Sequence, residues 1–325
     1  LTVFAAILGI WVFLAGVNVL LIVAGFKSGA PVFFPISIFA PALHISGLPY
    51  ALLFLAFLAW TMRFSDRLNV FQISLAGLIL IVLGNLIQGS VDSAFLSPFR
   101  ATGIQYYHDA VNIDEWKEWL GSFNYIQSSL FDHSRTHPPF AIVIHSMFLK
   151  ISGNNVLFLS SAFILLSAFS VFLVWHIFKA LKIPLEKRNR LTLLFSVIPA
   201  VNIYSAVSLD GIILTSSTLF LLGLALLMND GERISASGAV FFGLGLAITN
   251  LLTFGGVFLI AVALIQSIRE YMLKKQLIVP FVLFFSLAIF MLVLLALGRY
   301  MGYDHMRAFL TASALENPEG FRGWS

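Results

Sequence analysis

The chain has 325 residues, 59% of them hydrophobic and 10% charged, with a formal net charge of +4. An ordinary soluble domain carries roughly 25% charged residues, so this composition excludes one and points to a polytopic helical membrane protein, because only backbone paired within itself is tolerated in lipid. Cysteine is absent, which excludes disulfides and thiolate-held zinc or iron-sulfur centres.

In chain order, apolar runs able to cross a bilayer lie at roughly 3–26, 47–62, 69–89, 154–178, 191–208, 211–228, 236–250, 251–268 and 277–298, nine crossings in all, a helical crossing needing about 20 apolar residues. The first is long enough to be read as a membrane helix and not a cleavable signal peptide, while the ends at Leu1 and Ser325 are compatible with a fragment. Basic residues gather at Arg63 to Arg67, Lys179 to Arg190, Arg233 and Arg269 to Lys275, and the positive-inside rule puts those ends in the cytoplasm. Loops 27–46, 90–153 and 209–210 and the tail from Arg299 then face outside, with ten of the fifteen acidic residues. That parity requires Phe140 to Leu149 not to cross, and the run is too short to do so. It is expected to form a juxtamembrane or re-entrant helix begun by Pro138-Pro139. The expected architecture is an all-α polytopic transmembrane bundle, a single integral membrane domain over 1–325 with juxtamembrane helices in its 90–153 loop. Gly243-Leu244-Gly245 and Gly255-Gly256 lie inside apolar runs and read as close helix packing, not nucleotide loops. The basic residues are accounted for by loop ends, so no nucleic-acid partner is expected.

The long polar loop is where chemistry can sit. Trp116, Trp119, Leu120 and Phe123 recur at helical spacing and form one apolar face, suited to the membrane interface that indole rings favour, with Asp114 placed to cap the first turn. The loop closes on Asp132-His133-Ser134-Arg135-Thr136-His137-Pro138-Pro139, a carboxylate, two imidazoles and a guanidinium beside a stiff Pro-Pro pair. Such a cluster suits an anion, a metal or a phosphate-bearing lipid head group. His133 and His137 are spaced as on one helical face, but the prolines disfavour helix just before them, and no cysteine is present to complete a zinc site. Asp210 stands between two apolar runs with almost no loop around it, where an ionisable residue is costly; the alternative is a helix cap for the run starting at Gly211. His44, His145 and His176 lie in apolar surroundings and read as structural.

Tyr106-Tyr107-His108-Asp109-Ala110, the acidic helix and His133 to Pro139 together resemble the first outer loop of GT-C type membrane glycosyltransferases, above all the bacterial and archaeal relatives of the protein-mannosyltransferase class (glycosyltransferase family 39-like), whose loop ends in a similar His-Pro-Pro pattern. Leu209-Asp210-Gly211 is similar to a short Asp-bearing outer turn of those relatives, and Thr253-Phe254-Gly255 also fits. The resemblance covers most of residues 69–325, with a departure at Phe140, where relatives often show Gly or Leu.

The resemblance implies a hexosyltransferase of the cell membrane, its active site on the extracytoplasmic side. Such an enzyme passes a sugar from a polyprenyl-phosphate donor to a glycan, lipid or protein acceptor. An inverting transfer needs a carboxylate for the acceptor hydroxyl and cationic help for the leaving phosphate. Asp109 is then the candidate base, with Asp210 as a second carboxylate holding the acceptor or a divalent cation; whether Mg or Mn is needed stays open. Tyr107 and His108 are placed to contact the sugar. Arg135 and His137 are placed to contact the lipid phosphate, with His133 and Asp132 near the pocket, unless His137 instead bonds backbone to hold the loop. His305 and Arg307 either reach over the same cavity or anchor the interface. Two other classes remain open. One is a transporter or flippase of a lipid-linked or polar substrate, which should show ionisable or broken helices at mid-bilayer depth, whereas most charges here lie at loop ends; the other is a non-catalytic assembly factor docking through its tryptophans.

Overall fold

The computed structural model describes residues 45–100, 104–229 and 235–316, together with scattered helical positions between residues 9 and 23. The chain divides into two compact units, Leu1–His44 and Ile45–Ser325. The expected span at 3–26 falls largely outside the described residues, as do His44 and Arg233. Among the described residues every regular element is helical.

The second unit opens with α1 (Leu48–Arg63) and α2 (Val70–Leu86). Asn69 caps α2 through a reciprocal capping box with Gln72, which satisfies two otherwise orphan amides. Four short helices follow, α3 (Tyr107–Val111), α4 (Trp116–Ile126), α5 (Asp132–Thr136) and α6 (Phe140–Ile151). The rest is α7 (Val156–Ala180), α8 (Leu185–Ser196), α9 (Pro199–Val207), α10 (Leu209–Asn229), α11 (Ala236–Leu252), α12 (Val257–Lys274), α13 (Ile278–Met301) and α14 (His305–Glu316). The 12-residue α6 is about 18 Å long at 1.5 Å per residue, short of a hydrocarbon core of about 30 Å.

Five helical segments are long and apolar enough to cross a membrane: Ile45–Arg63, Val156–Ala180, Leu209–Asn229, Phe254–Lys274 and Ile278–Met301. A sixth arises if α8 and α9 count together, but they are not the single continuous run expected at 191–208. The two are bent by 58°. Pro199 opens α9 and holds Ile198 at φ −59°, ψ 124°, since the residue before a proline is driven out of the helical region. Large apolar side chains such as Phe71, Phe258, Phe284 and Leu292 are more than half exposed, a surface matched to lipid.

The helices approach closely where side chains are small. A Cβ on Gly223 would fall 2.2 Å from Phe242 N, and one on Gly245 2.3 Å from Phe220 N, so these glycines let α10 and α11 meet backbone to backbone, as expected for Gly243-Leu244-Gly245. Buried amides fasten the other side of the bundle. Asn189 accepts from Trp175 Nε1 at 2.7 Å and donates to the Ser65 and Leu68 carbonyls at 2.7 and 2.9 Å, while Asn202 Nδ2 donates to Leu80 and Ser196 carbonyls and its own carbonyl takes Asn85 Nδ2.

Candidate functional site

Helices α3 to α6 and α14 form a polar cap on one end of the bundle. In α4, Leu120 and Phe123 are buried and Trp119 is half-buried, while Trp116 is exposed; its Nε1 reaches Ser146 Oγ at 3.3 Å, and Lys150 lies 5.5 Å over its ring. The expected cap by Asp114 is not formed. The helix begins at Trp116 with Glu115 as an extended N-cap lacking a side-chain cap bond, which leaves Asp114 too far back, and its carbonyl instead accepts from Lys150 Nζ. Two amides tie the tail to the cap. Asn124 exchanges bonds with the Asp304 backbone at 2.8 and 2.9 Å. Gln127 Nε2 donates to both the Arg135 and Ala308 carbonyls at 2.9 Å, so α5 and α14 are held by one side chain.

The Pro-Pro pair acts locally as expected. His137 is extended at φ −117°, ψ 160°, directly after the single turn of α5, which includes His133. The two imidazoles nevertheless stay together, 6.1 Å apart, because both pack on Tyr106, His133 stacked at 5.7 Å and His137 edge-on at 5.7 Å. His145 from α6 completes the ring of histidines, 4.8 Å from Tyr106. Tyr106 is 5% exposed. Burial, and then the Asp210 carboxylate, push its phenol well above the ordinary range.

Burial and the neighbouring His133 hold the His137 pKa low, against the opposing pull of the His133 carbonyl and of Asp210 and Glu316. Burial takes His145 to about 4, opposed by its bond to the Ala141 carbonyl. Both rings are therefore neutral at neutral pH. His137 Nδ1 lies 3.1 Å from the His133 carbonyl; a carbonyl only accepts, so Nδ1 carries the hydrogen and neutral Nε2 is an acceptor. A phosphate contact by His137 thus requires its protonation, whereas Arg135 offers a planar guanidinium fork that matches phosphate oxygens. Arg135 pairs with Asp132 at 2.6 Å. Its Nε, with Ser134 Oγ and Gln127 Oε1, is buried without a partner among the described residues.

Asp210 comes from a different part of the chain. Its helix starts at Leu209, two residues earlier than the alternative cap reading requires, and Ser208 is the cap: Ser208 Oγ accepts from Asp210 N at 3.2 Å and donates to Asp210 Oδ2 at 2.7 Å. Asp210 lines a cavity of about 200 Å³ with Tyr204 and Ser205, and Ser205 Oγ is buried without a protein partner. Asp109, Arg135 and His137 do not line that cavity.

The remaining expected residues divide. Asp109 is half-buried on α3, and its Oδ2 accepts from Phe131 N at 3.1 Å, so it fastens the loop leading into α5. His108 Nε2 lies 3.2 Å from the Arg100 carbonyl and Tyr107 packs edge-on against His108 at 5.3 Å. His305 lines a separate cavity of about 600 Å³ with Arg299; burial lowers its pKa against the pull of Asp304, and its Nδ1 meets Tyr303 OH at 2.8 Å. Arg307 is exposed and sits 4.9 Å over the Tyr125 ring. The structure thus joins His133 and His137 around Tyr106 within the field of Asp210, beside Arg135 on α5, and leaves His305 and Arg307 in other surroundings. Sequence reasoning weighted Tyr107 where Tyr106 is the shared contact, and set His145 aside.

Among the described residues no three His, Asp or Glu side chains gather as a metal-binding group. No known protein family, curated protein or solved structure matches the chain.

Proposed function

We propose that the protein transfers a sugar from a polyprenyl-phosphate carrier to an acceptor hydroxyl at the extracytoplasmic face of the cell membrane, within a GT-C type bundle of nine crossings. The nine comprise the five long helical segments, the bent α8–α9 pair, the two 17-residue helices α2 and α11, and the run at 3–26. One observation carries the reading: Tyr106 packs on both histidines of the distant His133 to His137 turn, the Asp210 charge acts on Tyr106 and His137, and the same turn carries Arg135, whose buried Nε has no partner among the described residues. In the transfer the acceptor oxygen attacks the anomeric carbon, the bond from that carbon to the phosphate oxygen breaks, and polyprenyl phosphate leaves with the electron pair. The acceptor proton passes to Asp109 or Asp210. Arg135 offsets charge on the departing phosphate, and neutral His137 presents Nε2 as acceptor for a sugar hydroxyl.

The test is transfer from a panel of radiolabelled polyprenyl-phosphate sugars in membranes carrying the protein. Asp109→Asn keeps an oxygen for Phe131 N and removes basicity, so turnover should fall about 100-fold with donor binding near normal. Wild-type turnover in that variant would assign Asp109 to fastening the loop alone.

A second reading is favoured by the 58° break between α8 and α9 beside the Asp210 cavity, since transporters bind substrate at broken helices. Flux of a lipid-linked sugar across proteoliposomes, without transfer chemistry, would select it.

A further inference from the structure

A groove of about 470 Å³ runs between α7 and α10 at the end of the bundle where Lys179 and Asn229 lie. These two helices pack together and run in the same direction, so their lining residues advance in step. Phe169 and Phe172 face Leu219 and Leu226 along the apolar stretch, and His176, Lys179 and Asn229 follow at one end. From residue 169 to residue 179 the wall is about 15 Å long at 1.5 Å per residue.

The polar end is strongly basic. Trp175 holds two cations against its ring, Arg188 at 4.6 Å and Lys179 at 6.0 Å, and His176 sits 5.0 Å from the same indole. The carbonyl of Ile183 accepts from Arg188 Nε and Nη2 at 3.2 and 2.7 Å, which fixes that guanidinium against Trp175, next to the groove-lining His176 in the chain. Among the described residues neither Lys179 nor Arg188 has a carboxylate partner, whereas nearby Arg190 is paired with both Asp66 and Glu186. An apolar wall ending in unneutralised cations at a membrane boundary matches one chemistry: a phosphate attached to an acyl chain. A free phosphate would leave the aromatic wall uncovered.

We propose that this groove holds an anionic diacyl phospholipid, its phosphate at Lys179 and His176 and an acyl chain along Phe169, Phe172 and Leu219. The site is independent of the transfer reaction proposed for the cap. The test is native mass spectrometry of the delipidated full chain titrated with dioleoyl phosphatidylglycerol, dioleoyl phosphatidylcholine and inorganic phosphate. Phosphatidylglycerol should bind at least about tenfold tighter than phosphatidylcholine, and inorganic phosphate should not bind measurably. Near a membrane surface a basic residue contributes roughly fivefold in affinity for anionic lipid. Lys179→Ala should therefore weaken phosphatidylglycerol about fivefold and Lys179→Glu about 30-fold, both on an exposed side chain that leaves folding intact. Leu219→Trp, which fills the apolar end, should weaken both lipids. Lys187→Glu, in the same basic stretch but not lining the groove, should change neither. Equal affinity for the two lipids, no effect of Lys179→Glu, or an equal loss in Lys187→Glu would overturn the assignment.

Discussion

The Asn189 network and the cap treat buried polar groups in opposite ways. Around Asn189 each amide valence is matched, with Trp175 Nε1 donating in and the Ser65 and Leu68 carbonyls accepting out. In the cap, Arg135 Nε, Ser134 Oγ and Gln127 Oε1 are buried with no partner among the described residues. A buried polar group normally finds a partner, so a saturated network specifies structure, and an unsaturated one of this size marks a place where a ligand can supply what the protein does not. The contrast separates a scaffold from a site by chemistry alone.

The largest effect that sharpens this contrast lies in the scaffold. Asn189→Ala removes three buried hydrogen bonds and strands the Trp175 indole N–H, which should lower stability by about 4 kcal/mol at roughly 1 kcal/mol per bond plus the unpaired donor. Activity per folded molecule should stay unchanged. A thermal melt in detergent checks the first and the transfer assay the second; a selective loss of turnover would break the division.

The cap should instead be acid-labile. His137, His145 and His305 all have folded pKa values below the ordinary 6.5. Between the folded and free values the unfolded chain binds more protons, so their contribution is complete above about pH 6.5 and is lost as pH falls through the folded values. For fully buried His145, with a folded value of about 4, the loss is on the order of 3 kcal/mol. His145→Gln should flatten the slope of melting temperature between pH 6.5 and 4, and an unchanged slope would place the acid sensitivity elsewhere.

A smaller cost is expected where α10 meets α11. Gly245→Ala puts a Cβ 2.3 Å from Phe220 N, an overpacking worth about 2 kcal/mol. It should appear as lower stability with the pH slope of the cap retained.

Much of the helical framework is legible in the sequence. Composition and run length locate the long apolar helices, the run Phe140 to Leu149 forms the short helix its length implies, and Pro138-Pro139 accounts for the extended His137. Pro199 carried the same information about the break in 191–208, but a long apolar run masks a local backbone rule. The errors in the cap have another origin. Whether Asp114 or Glu115 precedes the first turn of α4, and whether Tyr106 or Tyr107 faces the histidines, depends on where α3 and α4 start, and tertiary contacts with α6 and α14 decide that. The pairing of Gln127 with Ala308, 181 residues apart, leaves no local trace.

The orientation of the cap is checked by impermeant labelling of cysteines placed at Ser129 and Asn154, at either end of the α5–α6 segment. Both should label from outside. Labelling of Asn154→Cys only from the cytoplasm would make α6 a crossing and move Asp210 to the opposite face from α5.

The most direct test of a phosphate-reading cap is titration of the purified protein with a polyprenyl-phosphate sugar and with the neutral polyprenol. A charge-assisted contact is worth about 1.5–3 kcal/mol, so the phosphate ligand should bind tighter and Arg135→Ala should weaken it roughly 10- to 150-fold. Arg135→Lys should recover only part, because a point charge replaces the planar fork. Equal affinity of the wild-type protein for the two ligands, or no change in Arg135→Ala, would contradict the account and leave the cluster as loop scaffolding.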